Sequence, residues 1–356
     1  MAAAVQPPGA ADVPGAPGCR RKDSPQRFEP QDLPSVPHFT PIHYSSEDGL
    51  TLYARDYAPV DTAAVDTAAV DTAAVDTAAA GASMAGTPAA ASPAARLPVI
   101  CIHGLTRNCA DFDEFAPLVA GLGRRVLALD VRGRGHSARD PNPDNYNPQV
   151  YAADVERLMA GLGIARAIFV GTSMGGLITM TLATRDIGLI AAAVLNDIGP
   201  VVSDKGLARI AGYTGKPVRP ASWDDAARYV SDINRCAFPH NPDAEWDKWA
   251  RRAFEPDAGG RLAPRYDPHI AIALQSGKLR PTSLQSRMAF RRLARERPLL
   301  LVRGALSDLL EARQAEWMRR AAPSMRYVEV PDVGHAPMLT EPAALAAVTA
   351  FLAGLP

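Results

Sequence analysis

The sequence predicts an α/β protein with a mostly parallel eight-stranded sheet, helices on both faces and a helical cap inserted after the sixth strand. Two observations predict this class. Short, wholly apolar runs recur along the chain, and amphipathic helical patterns separate most of them. Strands that are apolar on both faces are typical of parallel sheets covered by helices, so we expect a two-sided α/β core.

The first two strands are predicted to form an antiparallel edge of this sheet. The segments "HFTPIHYS" from residue 38 and "LTLYARDYA" from residue 50 flank Glu47-Asp48-Gly49. An Asp-Gly pair between two strand-like segments is a strong hairpin signal. We therefore expect a β-hairpin before the parallel strands begin.

Six apolar runs account for the other strands, and they cover residues 99–102, 126–129, 168–170, 191–195, 299–302 and 327–330. Helical patterns lie between most of these runs. One of them spaces Val155 and Leu162 by two helical turns and closes at Gly163. The last begins at Thr340-Glu341-Pro342, where a hydroxyl and an early proline favour a helix start.

Two stretches of low complexity are predicted to lie outside the packed core. Residues 1–37 are rich in Ala, Pro and Gly, so they cannot bury enough apolar surface to offset the entropy of ordering. Residues 58–96 contain four copies of the pentamer VDTAA, whose period matches neither a helix nor a strand. We expect a disordered N-terminal segment and a surface insertion that the fold tolerates.

The remaining residues divide into a core and a cap. The strand runs and helical patterns assign residues 38–199 and 296–356 to the core. Residues 200–295 instead show long helical stretches and several aromatic side chains without strand runs. We expect a helical cap after the strand that ends at Leu195, with two or three of its aromatic side chains lining a substrate cleft.

The composition excludes several classes of partner. Lys plus Arg and Asp plus Glu both number 38, so no net charge attracts nucleic acid or an anionic membrane. No signal peptide is visible, and no run approaches the ~18 apolar residues of a membrane span. The four cysteines show no metal-ligand spacing, and they are Cys19, Cys101, Cys109 and Cys236. We predict a cytoplasmic protein, with the oligomeric state left open.

The segment "GTSMGG", residues 171–176, places one hydroxyl between glycines directly after a strand run. It matches the pattern G-x-S-x-G, in which a sharp strand-to-helix turn crowds the neighbouring chain and requires small residues. In that turn the hydroxyl projects from the edge of the sheet, at the N-terminal end of a helix. We predict that Ser173 is a nucleophile and not part of a simple glycine-rich turn.

A serine nucleophile needs a base, and the base needs an acid. His335 is the best candidate base, because it follows a strand in a glycine-containing loop and comes last in the chain. Asp308 follows the preceding strand run and gives the chain order Ser, Asp, His that this kind of sheet uses. We predict Asp308 as the acid, with Asp197 as the alternative, because Asn-Asp-Ile-Gly-Pro equally suits a turn into the cap.

The negative charge that develops on an attacked carbonyl needs two backbone N–H donors. One commonly belongs to the residue after the nucleophile and the other to the loop after an earlier strand, which here are Met174 and Leu105. We also expect a small set of residues near these donors and in the cap to contact the substrate, namely His103, Thr106, Tyr213 and Trp223.

The segment "DVRGRGHS", residues 130–137, is rich in glycine but does not match a dinucleotide loop. Ala138 occupies the third glycine position, and no acidic residue follows at the required distance. We expect a structural turn instead, with Asp130 and Arg132 paired with each other or capping the sheet edge.

Together, "HGLTRN", "DVRGRGHS", "GTSMGG", "GALSDLL" and "VGHAPML" resemble the α/β-hydrolase fold superfamily over about residues 38–57 and 97–356. The branch that they resemble includes 3-oxoadipate enol-lactonases, carbon-carbon bond hydrolases, cofactor-free haloperoxidases and small-ester hydrolases. The resemblance implies a Ser-His-Asp hydrolase without metal or organic cofactor. Residues 1–37 and the VDTAA insertion depart from the family pattern.

Three functions are compatible with these residues. The first is a serine hydrolase that acts on small-molecule carboxylic esters or lactones through an acyl-enzyme. The second is a carbon-carbon bond hydrolase that uses the same residues on a ketonic substrate. The third is a receptor that binds a ligand in the same pocket without turnover. We predict the first, with a small-molecule substrate as the partner.

Overall fold

The computed structural model describes residues 39–60, 96–275 and 284–356. The predicted disordered segment 1–37, and all but the ends of the predicted insertion 58–96, lie outside the described residues. Within the described ranges, the chain forms an eight-stranded sheet, a separate two-stranded sheet and ten α-helices.

Every strand that the sequence predicts is present in the main sheet. The strands of the main sheet are β1 (Thr40–Ser45), β2 (Thr51–Tyr57), β3 (Val99–Ile102), β4 (Val126–Asp130), β5 (Ala167–Thr172), β6 (Ile190–Asn196), β9 (Leu299–Gly304) and β10 (Arg326–Val330). The two-stranded sheet consists of β7 (Phe254–Pro256) and β8 (Leu262–Pro264). The main sheet has the order β1-β2-β4-β3-β5-β6-β9-β10. The pairs β1–β2 and β2–β4 are antiparallel and the others are parallel. The predicted fold class is confirmed.

The helices are α1 (Phe115–Ala120), α2 (Pro148–Gly161), α3 (Met174–Arg185), α4 (Asp204–Tyr213), α5 (Trp223–Asn234), α6 (Asp243–Ala253), α7 (Ile270–Gln275), α8 (Leu284–Glu296), α9 (Ala312–Ala321) and α10 (Pro342–Ala353). They cover both faces of the sheet. Successive side chains of a strand point to opposite faces, so one strand packs against helices on both sides. In β5, Phe169 packs in a buried cluster with Ile178 of α3. Val170 packs in a second cluster with Phe115 of α1 and Val348 of α10.

The segment between β6 and β9 contains helices α4 to α8, and aromatic side chains form its own small core. The Phe238 and Trp249 rings lie edge to face with centroids 4.8 Å apart, and Trp246 contacts Trp249 in the same way at 5.2 Å. The structure adds the antiparallel pair β7–β8, which the sequence does not predict because three-residue strands show no periodicity. Helix α8, which the sequence assigns to the cap, packs through Phe290 in the cluster that contains Ile178 of α3.

A buried arginine after β4 joins three parts of the fold. Arg132, which is 1% exposed, donates to Asp154 of α2 at 2.6 and 2.7 Å and to Asp140 at 2.5 Å. It also reaches Asp48, in the turn between β1 and β2, at 2.9 Å. Arg132 and Asp130 do not pair with each other, and the Asp130 carboxylate accepts backbone N–H groups of Cys109 and His136, which fits the capping alternative.

We predict that Arg132→Leu destabilises the fold by about 3–5 kcal/mol, because two buried carboxylates would lose their cation. Urea unfolding of both proteins measures this difference. Arg185→Leu is the matched control, since Arg185 and Glu156 form an exposed pair whose loss should change the free energy of unfolding by about 0–1 kcal/mol. Equal losses in the two variants would contradict the prediction.

Candidate active site

Several polar side chains meet at one edge of the sheet, because the carboxyl ends of parallel strands lie on the same side. Ser173 follows β5, Asp197 follows β6, Asp308 lies in the loop after β9, and His335 lies in the loop after β10. These are the strand ends at which the sequence places the candidate residues.

Ser173 occupies the sharp turn between β5 and α3. Its φ angle is +52°, in the left-handed region that a non-glycine residue adopts only where the surrounding structure holds it. Its backbone N–H donates to the Asn196 carbonyl at the end of β6, at 3.0 Å. The turn is therefore fixed by the neighbouring strand, and Ser173 as a whole residue is 9% exposed at the sheet edge.

The two glycines that frame Ser173 are required by the packing of α3 on the sheet. A Cβ on Gly171 would lie 2.5 Å from the backbone of Gly175 and Gly176. A Cβ on Gly175 would lie 2.1 Å from the carbonyl oxygen of Ile102 in β3. Neither distance is possible without moving the helix away from the sheet, which is the physical basis of the G-x-S-x-G pattern here.

His335 bridges the serine and a buried carboxylate. Its Nε2 lies 2.8 Å from Ser173 Oγ, and its Nδ1 lies 2.7 Å from Asp197 Oδ2. An ionised carboxylate only accepts hydrogen bonds, so Nδ1 carries the proton and Nε2 is left to accept from the serine hydroxyl. The three side chains thus form one continuous hydrogen-bonded chain.

The Asp197 side chain is completely buried and is hydrogen-bonded on both oxygens. Oδ1 accepts the Gly304 N–H at 3.0 Å, and Oδ2 accepts the Ser307 hydroxyl at 2.5 Å in addition to His335. A buried carboxylate is tolerated where such partners replace its lost hydration. The loop after β9 therefore supports the aspartate that follows β6.

The predicted contact between Asp308 and His335 is wrong. Asp308 instead forms a two-pronged ion pair with Arg209 of α4, at 2.6 and 2.8 Å. Partial burial acts to raise the pKa of Asp308, but the hydrogen bonds and charge of Arg209, together with the nearby His335, outweigh it and leave the pKa below its ordinary value. The loop after β9 instead supports the histidine indirectly, because the neighbouring Ser307 donates a hydrogen bond to Asp197.

One signal in the sequence favours Asp197, and the chain order Ser, Asp, His does not distinguish it from Asp308, because both lie between Ser173 and His335. Asp197 follows the last residue of β6 directly, whereas Asp308 lies four residues beyond the end of β9. Its φ angle is +54°, a conformation that aspartate adopts more readily than most residues. The same Asn-Asp-Ile-Gly-Pro segment thus both starts the cap and supplies the carboxylate.

Asn196 is a site residue that the sequence does not single out. Its Nδ2 donates to the Pro337 carbonyl at 2.7 Å and to Thr172 Oγ1 at 3.0 Å. Pro337 lies two residues beyond His335, and Thr172 precedes Ser173. Asn196 therefore links the histidine loop to the end of β5.

Leu105 and Met174 both line the cavity that Ser173 borders, and their role as oxyanion donors stays a prediction. Within the described ranges, neither backbone N–H has a hydrogen-bond acceptor. Met174 begins α3, where N–H groups have no partner within the helix. The two amides are therefore available to a ligand atom placed near Ser173 Oγ.

His103 was expected to contact substrate, but it is completely buried below the loop after β3. Its Nε2 accepts the Val131 N–H at 3.1 Å, so Nδ1 carries the proton and donates to the Gly104 carbonyl at 2.7 Å. Burial lowers the pKa of His103 to about 4 and keeps the ring neutral near pH 7. Its role is to orient the peptide group that carries the Leu105 N–H.

The remaining predicted substrate contacts can be compared with the lining of a cavity that Ser173 borders. Thr106 and Tyr213 line it, as expected. Trp223 does not, because it packs on the core of the cap, with the Arg251 guanidinium 4.8 Å from its ring centre. The prediction for Trp223 is therefore wrong.

Ser173 lies where two chambers of this cavity meet. The aromatic chamber is lined by rings and by the histidine loop, chiefly Tyr213, Tyr229, Phe238, Trp249, Tyr266 and His335. The aliphatic chamber is lined by hydrocarbon side chains, chiefly Met174, Leu177, Ile198, Val202, Leu207 and Leu309. Leu105 borders both chambers.

The described part of the chain contains no group of three or more His, Cys, Asp or Glu residues arranged to hold a metal ion. Among the same residues, no helix is long and apolar enough to cross a membrane. Cys101 and Cys109 are buried free thiols, and burial raises the pKa of both above its ordinary value. Neither thiol is poised to act as a nucleophile at neutral pH.

Two protein sequences are informative relatives of this chain. The 3-hydroxybutyrate-oligomer hydrolase of Cupriavidus necator is 34% identical over 260 residues, which cover 72% of this chain and 88% of that protein. The 2-(acetamidomethylene)succinate hydrolase of Mesorhizobium japonicum is 27% identical over 243 residues, which cover 67% of this chain and 81% of that protein.

The fold and the sequence agree with a solved structure and with a family profile. The crystal structure of an α/β hydrolase from Novosphingobium aromaticivorans matches with a TM-score of 0.75 and 36% identity, over 88% of this chain and 98% of that one. A profile described as alpha/beta hydrolase fold matches residues 98–342. From its sheet order, its strand-end residues and these matches, the chain belongs to the α/β-hydrolase superfamily and is a hydrolase of that family.

Proposed function

We propose that this protein hydrolyses carboxylic esters of small molecules, including lactones, through an acyl-enzyme on Ser173. The observation that carries the proposal is the hydrogen-bonded chain from Ser173 through His335 to Asp197. A serine hydroxyl becomes a useful nucleophile when a neighbouring base removes its proton, and the geometry supplies that base at 2.8 Å.

In the proposed reaction, Ser173 Oγ attacks the ester carbonyl while His335 Nε2 takes its proton. The imidazolium that forms is stabilised by Asp197, which also keeps the ring in the correct tautomer. His335 then gives the proton to the leaving alcohol. A water molecule, deprotonated by the same histidine, hydrolyses the acyl-enzyme and restores Ser173.

The oxyanion of the tetrahedral intermediate is assigned to the N–H groups of Leu105 and Met174. Neither donor has a hydrogen-bond acceptor among the described residues, and both residues line the cavity that Ser173 borders. Donors that are already oriented need little reorganisation during the reaction, and such groups typically account for about 10²- to 10³-fold in kcat each.

The two chambers suggest where the acyl part and the alcohol part of an ester lie when its carbonyl is at Ser173. The leaving alcohol must lie on the side of His335, which protonates it, and His335 lines the aromatic chamber. The acyl chain then lies on the side of Met174, in the aliphatic chamber. We expect an acyl part of short hydrocarbon character and a larger alcohol part, with a lactone placing its two halves in both chambers.

The similarity to a protein named 3-hydroxybutyrate-oligomer hydrolase supports short hydroxyacid oligomers as one substrate to test. Their repeat unit is a four-carbon acyl group, and each ester bond has another repeat unit as its alcohol. A panel of aryl esters, lactones, 3-hydroxybutyrate oligomers and vinylogous diketones separates ester hydrolysis from carbon-carbon bond hydrolysis. The cytoplasmic location and the small-molecule partner stay predictions from the sequence.

We predict that Asp197→Asn lowers kcat by about 10³- to 10⁴-fold, whereas Asp308→Asn lowers it less than tenfold. An asparagine at 197 cannot stabilise the imidazolium and favours the wrong tautomer, but position 308 only loses its pair with Arg209. Steady-state hydrolysis of p-nitrophenyl butyrate measures both, with Ser173→Ala as the inactive reference. A larger loss in the Asp308 variant would contradict the assignment of the acid.

We predict that Leu207→Phe shifts the preference toward shorter acyl groups, because the ring fills part of the aliphatic chamber. The ratio of kcat/KM for p-nitrophenyl hexanoate to that for the acetate should fall about tenfold or more, which corresponds to the loss of one to two buried methylene contacts. Leu118→Phe, at a side chain that is 47% exposed on α1, is the matched control and should leave the ratio unchanged. An unchanged ratio in the Leu207 variant would place the acyl group elsewhere.

A further inference from the structure

Arg134, in the loop after β4, is an arginine that is 1% exposed and directed at the candidate oxyanion site. Its Nε donates to the Leu105 carbonyl at 3.0 Å, and its Nη2 lies 3.5 Å from Met174 Sδ. Its Nη1 donates to the Arg132 carbonyl at 2.7 Å and to the Tyr151 hydroxyl at 2.9 Å. One guanidinium therefore contacts both residues to which the proposed oxyanion donors belong.

All of these acceptors are neutral. Within the described ranges, no carboxylate lies within 4.0 Å of the Arg134 nitrogens, in contrast to Arg132, which has three aspartates. The Asp130 carboxylate, four residues earlier, is occupied by backbone N–H groups. The Tyr146 and Tyr151 rings, with centres 5.6 and 5.1 Å from the Arg134 guanidinium carbon, complete its surroundings.

A buried charge without a counterion destabilises a fold by several kcal/mol unless hydrogen bonds and dipoles replace its hydration. A methionine or leucine would fill the same volume without that penalty, so packing alone does not account for an arginine here. The contacts that require a guanidinium fork are those to Leu105 and Arg132, since one planar group reaches both carbonyls.

We propose that Arg134 is a positioning residue of the oxyanion site, which orients Leu105 and Met174 and places a buried positive charge, not paired with a carboxylate, near the developing oxyanion. This inference rests on the proposed ester hydrolysis at Ser173. It assigns to the second arginine of the "RGRG" segment a role distinct from that of Arg132, whose charge is neutralised within the fold.

The loop that carries the Leu105 N–H is fixed on both sides of that group. The preceding carbonyl, of Gly104, accepts the His103 Nδ1–H, and the following carbonyl, of Leu105, accepts Arg134. Because buried side chains hold the carbonyls on both sides, the intervening peptide group cannot rotate, and the direction of the Leu105 N–H is fixed. His103 is neutral, so of the two side chains that hold these carbonyls Arg134 is the one that adds charge as well as orientation.

A charge in a poorly hydrated site acts more strongly than the same charge in water. In the ground state the ester carbonyl is neutral and gains little from Arg134. In the tetrahedral intermediate its oxygen is negative, so the field of Arg134 lowers the energy of the transition state selectively. The inference therefore predicts a fall in kcat with KM nearly unchanged.

The test compares Arg134→Gln, which removes the charge, with Arg134→Lys, which keeps a cation but loses the fork. We expect Arg134→Gln to lower kcat for p-nitrophenyl butyrate by about 10- to 100-fold, with KM within about threefold of wild type. Arg134→Lys should recover part of the loss. Circular dichroism and thermal melting identify the temperature range in which each variant is folded.

A pair of inhibitors separates orientation of the oxyanion site from general damage. An alkyl trifluoromethyl ketone adds to Ser173 and forms an oxyanion, whereas the corresponding methyl ketone binds mainly without addition. We expect Arg134→Gln to reduce the ratio of their affinities about tenfold or more. If this variant does not fold, the same ratio in Arg134→Lys decides, and a threefold or greater reduction is expected.

Arg124→Gln is the matched control. Arg124 is equally buried and donates to main-chain oxygens without pairing with a carboxylate side chain, but it lies at the other end of β4. It should lower the melting temperature and leave the inhibitor ratio unchanged. An unchanged ratio in a folded Arg134 variant, or an equal change in Arg124→Gln, overturns the role of Arg134. Wild-type protein that neither hydrolyses the esters nor reacts with a fluorophosphonate probe at Ser173 overturns the proposed function as well.

Discussion

The close approach of helix α3 to strand β3 is the constraint on which the site depends. Gly175 lies so near Ile102 that a Cβ would stand 2.1 Å from the carbonyl oxygen. Because the helix begins this close to the sheet, the turn after β5 is tight enough to raise Ser173 and to bring the Met174 N–H beside the loop that carries Leu105. A wider turn would separate the two donors, and an attacked carbonyl could then reach only one of them.

The histidine is held by three strands at once. β6 supplies Asp197, the loop after β9 supplies the groups that support its carboxylate, and Asn196 joins the histidine loop to the end of β5. Each of these contacts joins residues that are close in space but far apart in the sequence. The arrangement is therefore a property of the sheet order β5-β6-β9-β10, and no single loop could reproduce it in isolation.

The fold and the positions of two candidate site residues, Ser173 and His335, are predictable from the sequence, because they depend on local patterns. Strand runs, helical spacing and the G-x-S-x-G turn are local, and His335 follows from its place after the last strand. The choice between Asp197 and Asp308 depends on which side chain turns toward the histidine, and Arg209 on a distant helix decides it. The failures at His103 and Trp223 have the same origin, since burial against other elements sets where a side chain points.

Two of the side chains that meet at the sheet edge have left-handed backbones, Ser173 with φ +52° and Asp197 with φ +54°. Such conformations typically raise the energy of the folded state by about 1–3 kcal/mol each. Glycine would relieve this strain at either position but would remove the side chain that the proposed chemistry needs. Thermal stability and turnover are therefore opposed at these two residues, and variants selected for heat resistance alone would be drawn toward an inert enzyme.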